Sequence, residues 1–547
     1  MTPANRKVQY NARNFAALYW LRKNYAPRPL LLHRRVPVLR HCDAFVTNFT
    51  AAEFPVFIVG AKRTPFGRYG GALKELQPAD MFAAVATDVL KAANVAPEIV
   101  DTVNVGIVNA VVCGLCLSLL LGHISRWSRR EIARSALSLA RSAQAERDNE
   151  SCYFMSGASD GALAPRHGAL KAGVPRERPA LGVNRLCGSG FQAVINGAQD
   201  IISGAANISL TGGTENMSAV PYLVRNVRFG TALGSSIEFE DALTKGSLDT
   251  YCNFTMPQTA ENLAEKYKLT REEVDTFAYE SQQKWKAAHD SGHFEAELTP
   301  LTVRVRKQEV TVQRDEHPRP DTTREALAQL PVLFRKGGVV TAGNSSGVND
   351  GAGAVIVASE EAVKQHGLKP LARLLGWSYV GVDPSIMGIG PVPAIQGLLS
   401  ATGTKLQDVD LIELFERPRA VPIEPYNPAL SQKSVNQWHG LDNFLSVGYF
   451  PDFVHQHYKI LWQHCRRYII NEAFAAQTLA CVKELGLDPS KLNVNGGAVA
   501  IGHPLAASGA RITAHLVHEL RRRGLKKAIG SACIGGGQGI ALLVETV

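Results

Sequence analysis

Nine cysteines in 547 residues form no disulfide framework, and a chain of this length has core enough to need none. A reducing compartment fits that usage. Metal-ligand spacing is equally scarce. Cys113 and Cys116 make one CxxC with no second ligand pair nearby, and a structural zinc site needs four ligands, so no metal is expected. The longest apolar run, Ala110 to Leu121, is too short to span a bilayer, which needs about 20 residues. No integral membrane segment is therefore expected. The glycine-rich GGGQG at 535–539 lacks the Lys-Ser/Thr of a phosphate loop.

Acidic residues are missing from one place in particular. Residues 1–55 hold nine Lys/Arg and two acids, none before Asp43. That arm carries +7 of the chain's +10, and the segments 110–155 and 415–470 add +2 each, which leaves the rest close to neutral. A nearly neutral body excludes a basic groove, so nucleic acid is not expected as a partner. The arm is Arg-rich like a transit peptide, but it also lacks serine before Asp43.

What is present is α/β grammar. VFIVGAKRTPFG from Val56 reads as a buried strand running into a loop, and a helix follows around Met81 to Ala93. Asn207–Gly213, Ala354–Ser359 and Asp410–Leu414 read as further buried strands. Thr270 and Glu273 form a capping box that opens a helix burying Val274, Phe277, Ala278, Ser281 and Trp285. Another helix passes through Arg511–Arg523 and stops at Gly524. Alternating strands and helices imply sheets covered on both faces. The segments 110–155 and 415–470 break this grammar. They lack any sustained period and have sharp edges, so they read as insertions.

Four motifs carry the chemistry: NRLCGSG around Cys187, NEAFA from Asn471, VNGGAVAIGHP with His503 in a loop after a short strand, and SACIGGGQG, where Cys533 ends a strand. Each is weak alone, because burial explains most free thiols. Two thiols and an imidazole, each beside glycines at element ends, suit acyl transfer with carbon–carbon bond chemistry. A thiolate is the nucleophile, a second thiol can serve as acid or base, and glycines let backbone amides approach a thioester oxygen.

These motifs resemble those of the thiolases, most nearly the degradative mitochondrial branch. VFIVGAKRTPFGRYGG, NRLCGSGFQ, GGTENMS, VRNVRFGT, TAGNSSGVNDGAGA, DPSIMGIGPVPAI, NEAFAAQ, NGGAVAIGHP and SACIGGGQGIA stand in family order across the 390 residues outside the arm and the two insertions. The resemblance implies a thiolase fold: two pseudo-symmetric five-layer α-β-α-β-α halves, 56–215 with 339–365 and 366–547, and a loop domain at 216–338 that binds coenzyme A. It implies that Cys187 is acylated, His503 activates it, and Cys533 protonates or deprotonates the acetyl group. Asn471 would hold a water for one oxyanion, and the amides of Cys187 and Gly535 would face the other. Arg319, Thr322 and Ser346 would contact coenzyme A, which is a substrate, and no resident cofactor is implied. The implied reaction cleaves 3-ketoacyl-CoA with CoA in fatty acid β-oxidation, in a mitochondrial homodimer or homotetramer. The alternatives are a biosynthetic acetoacetyl-CoA thiolase or a thiolase-like protein impaired by its insertions.

Two departures from the family pattern bear on the site. The 415–470 insertion stands directly before Asn471, and a shift of about 1 Å in a catalytic group can cost 10²-fold. Ala506 replaces the family's glycine in GHPLA, adding a methyl near His503 where a left-handed backbone would require glycine.

Overall fold

Stretches apolar at every position, rather than alternating, predict strands covered on both faces, and the computed structural model has them at the centre. It describes residues 47–50, 55–108, 161–305, 307–404, 468–488 and 491–547, which all fall in one unit, Phe45–Val547. The arm to residue 46, the 110–155 insertion, most of 415–470, the Cys113/Cys116 pair and the strand expected at Asp410–Leu414 lie outside the described residues.

The large sheet has eleven strands among the described residues: β1 Thr47–Thr50, β2 Val56–Arg63, β3 Gly67–Arg68, β4 Thr102–Gly106, β5 Ala180–Val183, β6 Ile208–Asn216, β7 Asn349–Ser359, β8 Ala372–Gly381, β9 Tyr468–Ile470, β10 Lys527–Ile534 and β11 Gln538–Thr546. The order β9-β10-β11-β8-β2-β7-β6-β4-β5 contains the same pairing sequence twice. From β2 outward the steps β2–β7 and β7–β6 are antiparallel and β6–β4 is parallel. From β8 outward β8–β11 and β11–β10 are antiparallel and β10–β9 is parallel. The halves join where Val56–Ile58 pairs with Ala372–Leu374.

Helices cover the sheet on both faces. Helix α1 (Pro78–Ala92) and α2 (Ala164–Lys171) lie on the first half, while α3 (Ser189–Ile202) and α8 (Ala507–Arg523) pack against each other and against strands of both halves. Helix α6 (Pro391–Thr402) covers the second half and touches α7 (Ala475–Leu485). Helices α4 (Met256–Lys266) and α5 (Arg271–Asp290) belong to the stretch between β6 and β7, with three two-stranded ribbons. The capping box at the start of α5 forms: the Thr270 N–H donates to Glu273 at 2.7 Å and the Glu273 N–H donates back to the Thr270 hydroxyl. Its expected apolar face is buried. Gly524 ends α8 in the left-handed conformation at φ 65°.

Three readings are corrected. Strands β6 and β7 run to Asn216 and from Asn349, so the polar TEN and NDG residues lie inside them; their side chains are buried and hydrogen-bonded, which alternation does not reveal. The element before His503 is a helical turn, Ala498–Ile501, not a strand. The Ala500 and Ile501 N–H groups both reach the Gly497 carbonyl, and four apolar residues are too few for periodicity to separate the two. Finally, Thr47–Thr50 and Tyr468–Ile470, assigned to the arm and to an insertion, are strands of the large sheet.

Candidate active site

Cys187 lies on a 3₁₀ turn, Leu186–Gly188, between β5 and α3. It is four residues past the strand rather than at its end, because Asn184 and Arg185 form a bend of their own. Leu186 has φ 45°, a sparsely populated conformation for a bulky side chain. Local bonds hold it there. The Leu186 N–H donates to the Asn184 side chain at 3.0 Å. The Ser189 hydroxyl accepts from the Arg185 N–H at 2.9 Å and donates to the Leu186 carbonyl at 2.7 Å. The turn thus presents the thiol at the N-terminus of α3, the positive end of the helix dipole.

Gly190 follows because there is no room for a side chain. A Cβ there would stand 2.6 Å from the Ala506 carbonyl oxygen. A Cβ on Gly213 would stand 1.9 Å from the same oxygen. The Cys187 turn, β6 and the His503 loop are therefore packed backbone to backbone. Ala506 itself has φ −71°, which any residue adopts, so the expectation that glycine is needed there does not hold.

Against the Cys187 turn, with the Ile534 side chain packed on Gly188, β10 ends with Cys533 and Ile534, and Gly535–Gly537 turn the chain into β11. The Gly535 amide lies close enough to the Cys187 thiol to favour its ionised form. Burial pushes that thiol up to about 11, against the pull of the Gly535 and Cys187 amides, and the Glu215 carboxylate raises it further. Cys187 nonetheless keeps some solvent exposure, whereas Cys533 is buried. Burial, with the neighbouring Cys187 and Cys481 thiols, holds Cys533 well above the usual range.

His503 follows Gly502, whose φ is 95°. The His503 N–H bonds the Gly347 carbonyl at 3.1 Å and the Asn349 side chain at 3.2 Å. Its Nδ1 is 2.6 Å from the Ser508 hydroxyl, and its Nε2 is 3.4 Å from Nδ2 of Asn471. Burial, aided by the Arg511 cation, lowers the imidazole to about 3. It is neutral at physiological pH. Asn471 follows β9 directly, its N–H on the Ser531 carbonyl at 2.9 Å. The preceding insertion has not moved it away from His503. Its Oδ1 is buried and has no hydrogen-bond partner among the described residues.

The next residue, Glu472, accepts from the Ser281 hydroxyl and the Asn493 amide, both at 2.7 Å, and from the Val499 N–H at 3.1 Å. One buried carboxylate thus ties α5, the 493–499 loop and β9 together.

The structure places Cys187, Cys533 and the Gly535 amide within electrostatic reach of one another and Asn471 within 3.4 Å of His503, and Gly190 packs against Ala506 between them. Ser346 borders the second set, with its N–H on the Ala473 carbonyl at 3.0 Å. Arg319 is exposed and Thr322 half-buried, on the loop whose His317 lies against Gly347. Residues the sequence reading missed are Ser189, Glu215, Asn349, Glu472 and Ser508. Glu215, Asn349 and Glu472 stand inside recognised motifs, but their partners are distant in sequence. Among the described residues no cluster of three or more His, Cys, Asp or Glu could hold a metal, and no helix is long and apolar enough to cross a membrane.

A mixed sheet duplicated about a pair of central helices, with two thiols and a neutral imidazole at its element ends, defines a thiol-dependent acyltransferase. Residues 56–119 and 130–361 match the family description "Thiolase, N-terminal domain", and 368–434 and 457–546 match "Thiolase, C-terminal domain". The bovine (Bos taurus) protein named 3-ketoacyl-CoA thiolase, mitochondrial, is 47% identical over 490 residues, covering 90% of this chain and 98% of its own. An acetyl-CoA acetyltransferase of Shinella zoogloeoides is 35% identical over 90% of this chain and 99% of its own. The crystal structure of human mitochondrial 3-ketoacyl-CoA thiolase in complex with CoA superposes with a TM-score of 0.70, at 45% identity, over 90% of this chain and 98% of the human one. The chain belongs to the thiolase family.

Proposed function

We propose that this enzyme cleaves 3-ketoacyl-CoA with coenzyme A to acetyl-CoA and a shortened acyl-CoA, as a mitochondrial step of fatty acid β-oxidation. The neutral imidazole of His503 takes the Cys187 proton. The sulfur attacks the 3-keto carbon, and that oxygen turns toward the Cys187 and Gly535 amides. The C2–C3 bond then breaks. Its electron pair leaves as the acetyl-CoA enolate, whose oxyanion is met by His503 and by a water on Asn471. Cys533 protonates the enolate carbon. The thiol of a second CoA, seated by Arg319, Thr322 and Ser346, gives its proton to the Cys533 thiolate and attacks the acyl-Cys187 thioester; acyl-CoA leaves, and His503 returns its proton to the Cys187 sulfur. No resident cofactor takes part.

One observation carries this reading: the nucleophile candidate lies near the Gly535 amide and a second buried thiol, in a chain that matches mitochondrial 3-ketoacyl-CoA thiolases at 45–47% identity and acetyl-CoA acetyltransferases at 35–39%. The Asn471–His503 contact argues against an impaired homologue. Self-association as a dimer or tetramer is part of the reading, supported by exposed Phe229, Leu233, Ile237, Phe239 and Tyr251 on one stretch of chain. The test is a thiolysis assay of the full chain on acetoacetyl-CoA and a medium-chain 3-ketoacyl-CoA in parallel. Cleavage of the longer substrate with kcat/KM at least equal to that of acetoacetyl-CoA is expected. Activity confined to acetoacetyl-CoA would favour the biosynthetic alternative, and none on either would sink both.

A further inference from the structure

We propose that Ser508 is a positioning residue for this reaction, holding the imidazole of His503 in the tautomer with hydrogen on Nδ1, so that Nε2 is bare to take the Cys187 proton. The inference rests on the reading of Cys187 and His503 as nucleophile and base. Ser508 stands in the first turn of α8, five residues beyond His503, and both side chains are buried. Its Oγ lies 2.9 Å from the Pro504 carbonyl oxygen and 2.6 Å from Nδ1 of His503. A hydroxyl has one proton, and a carbonyl oxygen can only accept. On this assignment the serine proton goes to Pro504, whose carbonyl also accepts the Ser508 N–H at 3.0 Å, so that the contact to the ring takes its hydrogen from Nδ1.

The other ring nitrogen agrees. Asn471 presents Nδ2, a donor, to Nε2 at 3.4 Å. A bare Nε2 accepts that hydrogen, whereas the opposite tautomer would set two donors against each other.

The proton balance is simple. The S–H bond of Cys187 breaks with its electron pair staying on sulfur, an N–H bond forms at Nε2, and Nδ1 keeps its hydrogen throughout. As the ring becomes cationic, the Nδ1–H bond to Ser508 becomes charge-assisted and strengthens. The serine thus supports the ring most once the proton has moved. With the opposite tautomer the nitrogen nearest Asn471 would have no lone pair to offer.

Two measurements test this. On the wild-type protein, ¹⁵N-histidine NMR, with the His503 signals assigned by their loss in His503→Asn, should show a protonated Nδ1 and a bare Nε2. The reverse pattern overturns the proposal whether or not any variant folds. In Ser508→Ala, kcat and the rate of Cys187 alkylation by iodoacetamide should fall together by about 10- to 100-fold, the range that loss of the orienting partner of a metal-bound histidine costs, with KM for CoA within twofold. Ser508→Thr, which keeps the hydroxyl, should restore most of both. A Ser508→Ala protein that melts earlier but alkylates at the wild-type rate would show a merely structural serine and overturn the assignment. Wild-type thiolysis by His503→Asn would sink the underlying reading and the proposal with it. A bare Nδ1 in a protein that needs His503 would sink the proposal alone.

Discussion

Gly502→Ala should disable the enzyme without unfolding it. Gly502 has φ 95° and ψ 174°, a region open essentially to glycine alone, so an alanine there costs on the order of 1–3 kcal/mol in backbone strain. Space is the second term. The new Cβ would stand 2.0 Å from Oδ1 of Asn349, where real contacts do not fall below 3.0 Å, so something must move by about 1 Å. Asn349 is poorly placed to give way. It is buried, donates to the Gly67 carbonyl at 2.8 Å and accepts from the His503 N–H at 3.2 Å. The movement therefore falls on the His503 loop, and about 1 Å at a catalytic group is worth about 10² in rate. Steady-state thiolysis with calorimetry on the same preparation checks both terms. Gly524→Ala is the control: its φ is 65° with nothing within 4 Å of the new methyl, so it should lose about 1 kcal/mol of stability and no kcat. A Gly502→Ala enzyme with kcat within twofold of wild type would refute the packing argument.

Three further outcomes follow from the geometry. Ala506→Gly, which installs the family residue at a helical φ of −71°, should leave kcat within twofold and cost about 1 kcal/mol of stability from the lost buried methyl, read by thermal unfolding. Asp350, buried against the Ser218 N–H and hydroxyl, is pushed up to about 6 by burial. The folded state therefore holds a proton that the unfolded state releases between about pH 4 and 6, and this group's contribution to stability, roughly 3 kcal/mol, is present at low pH and lost as pH rises through 6. Asp350→Asn should flatten the unfolding free energy across that window, and an unchanged slope would contradict the assignment. Because burial and Arg511 lower His503 to about 3, the kcat/KM profile should show no acid limb near pH 6.5; a limb there that disappears in His503→Asn would show that the imidazole titrates normally.

Local features of the site were legible in the sequence. The glycines flanking Cys187 and following Cys533, the capping box at Thr270 and the Gly524 stop each write their geometry into neighbouring residues. Two contacts were not legible, for one physical reason. The carboxamide on the His503 N–H comes from Asn349, 154 residues away, and the Glu472 carboxylate meets Ser281 across 191 residues. Pattern reports which face of an element is apolar, but not which polar atom a buried donor will find. The positive φ of Leu186 was hidden as well, since its stabilising bonds come from Asn184 and Ser189 side chains that periodicity counts only as polar. The concern over Asn471 was settled by topology. Strand β9 pairs in register with β10 immediately before it, so the sheet, rather than the residues upstream, determines where Asn471 sits.

The central claim is that Cys187 carries the acyl group, and trapping that group tests it most directly. The protein is incubated with acetoacetyl-CoA without free CoA, quenched in acid, and mapped by peptide mass spectrometry. The account predicts an acetyl thioester on Cys187 that disappears on adding CoA, with Cys533 unlabelled. An acetyl group on Cys533, or a competent thiolysis by Cys187→Ala, would contradict it.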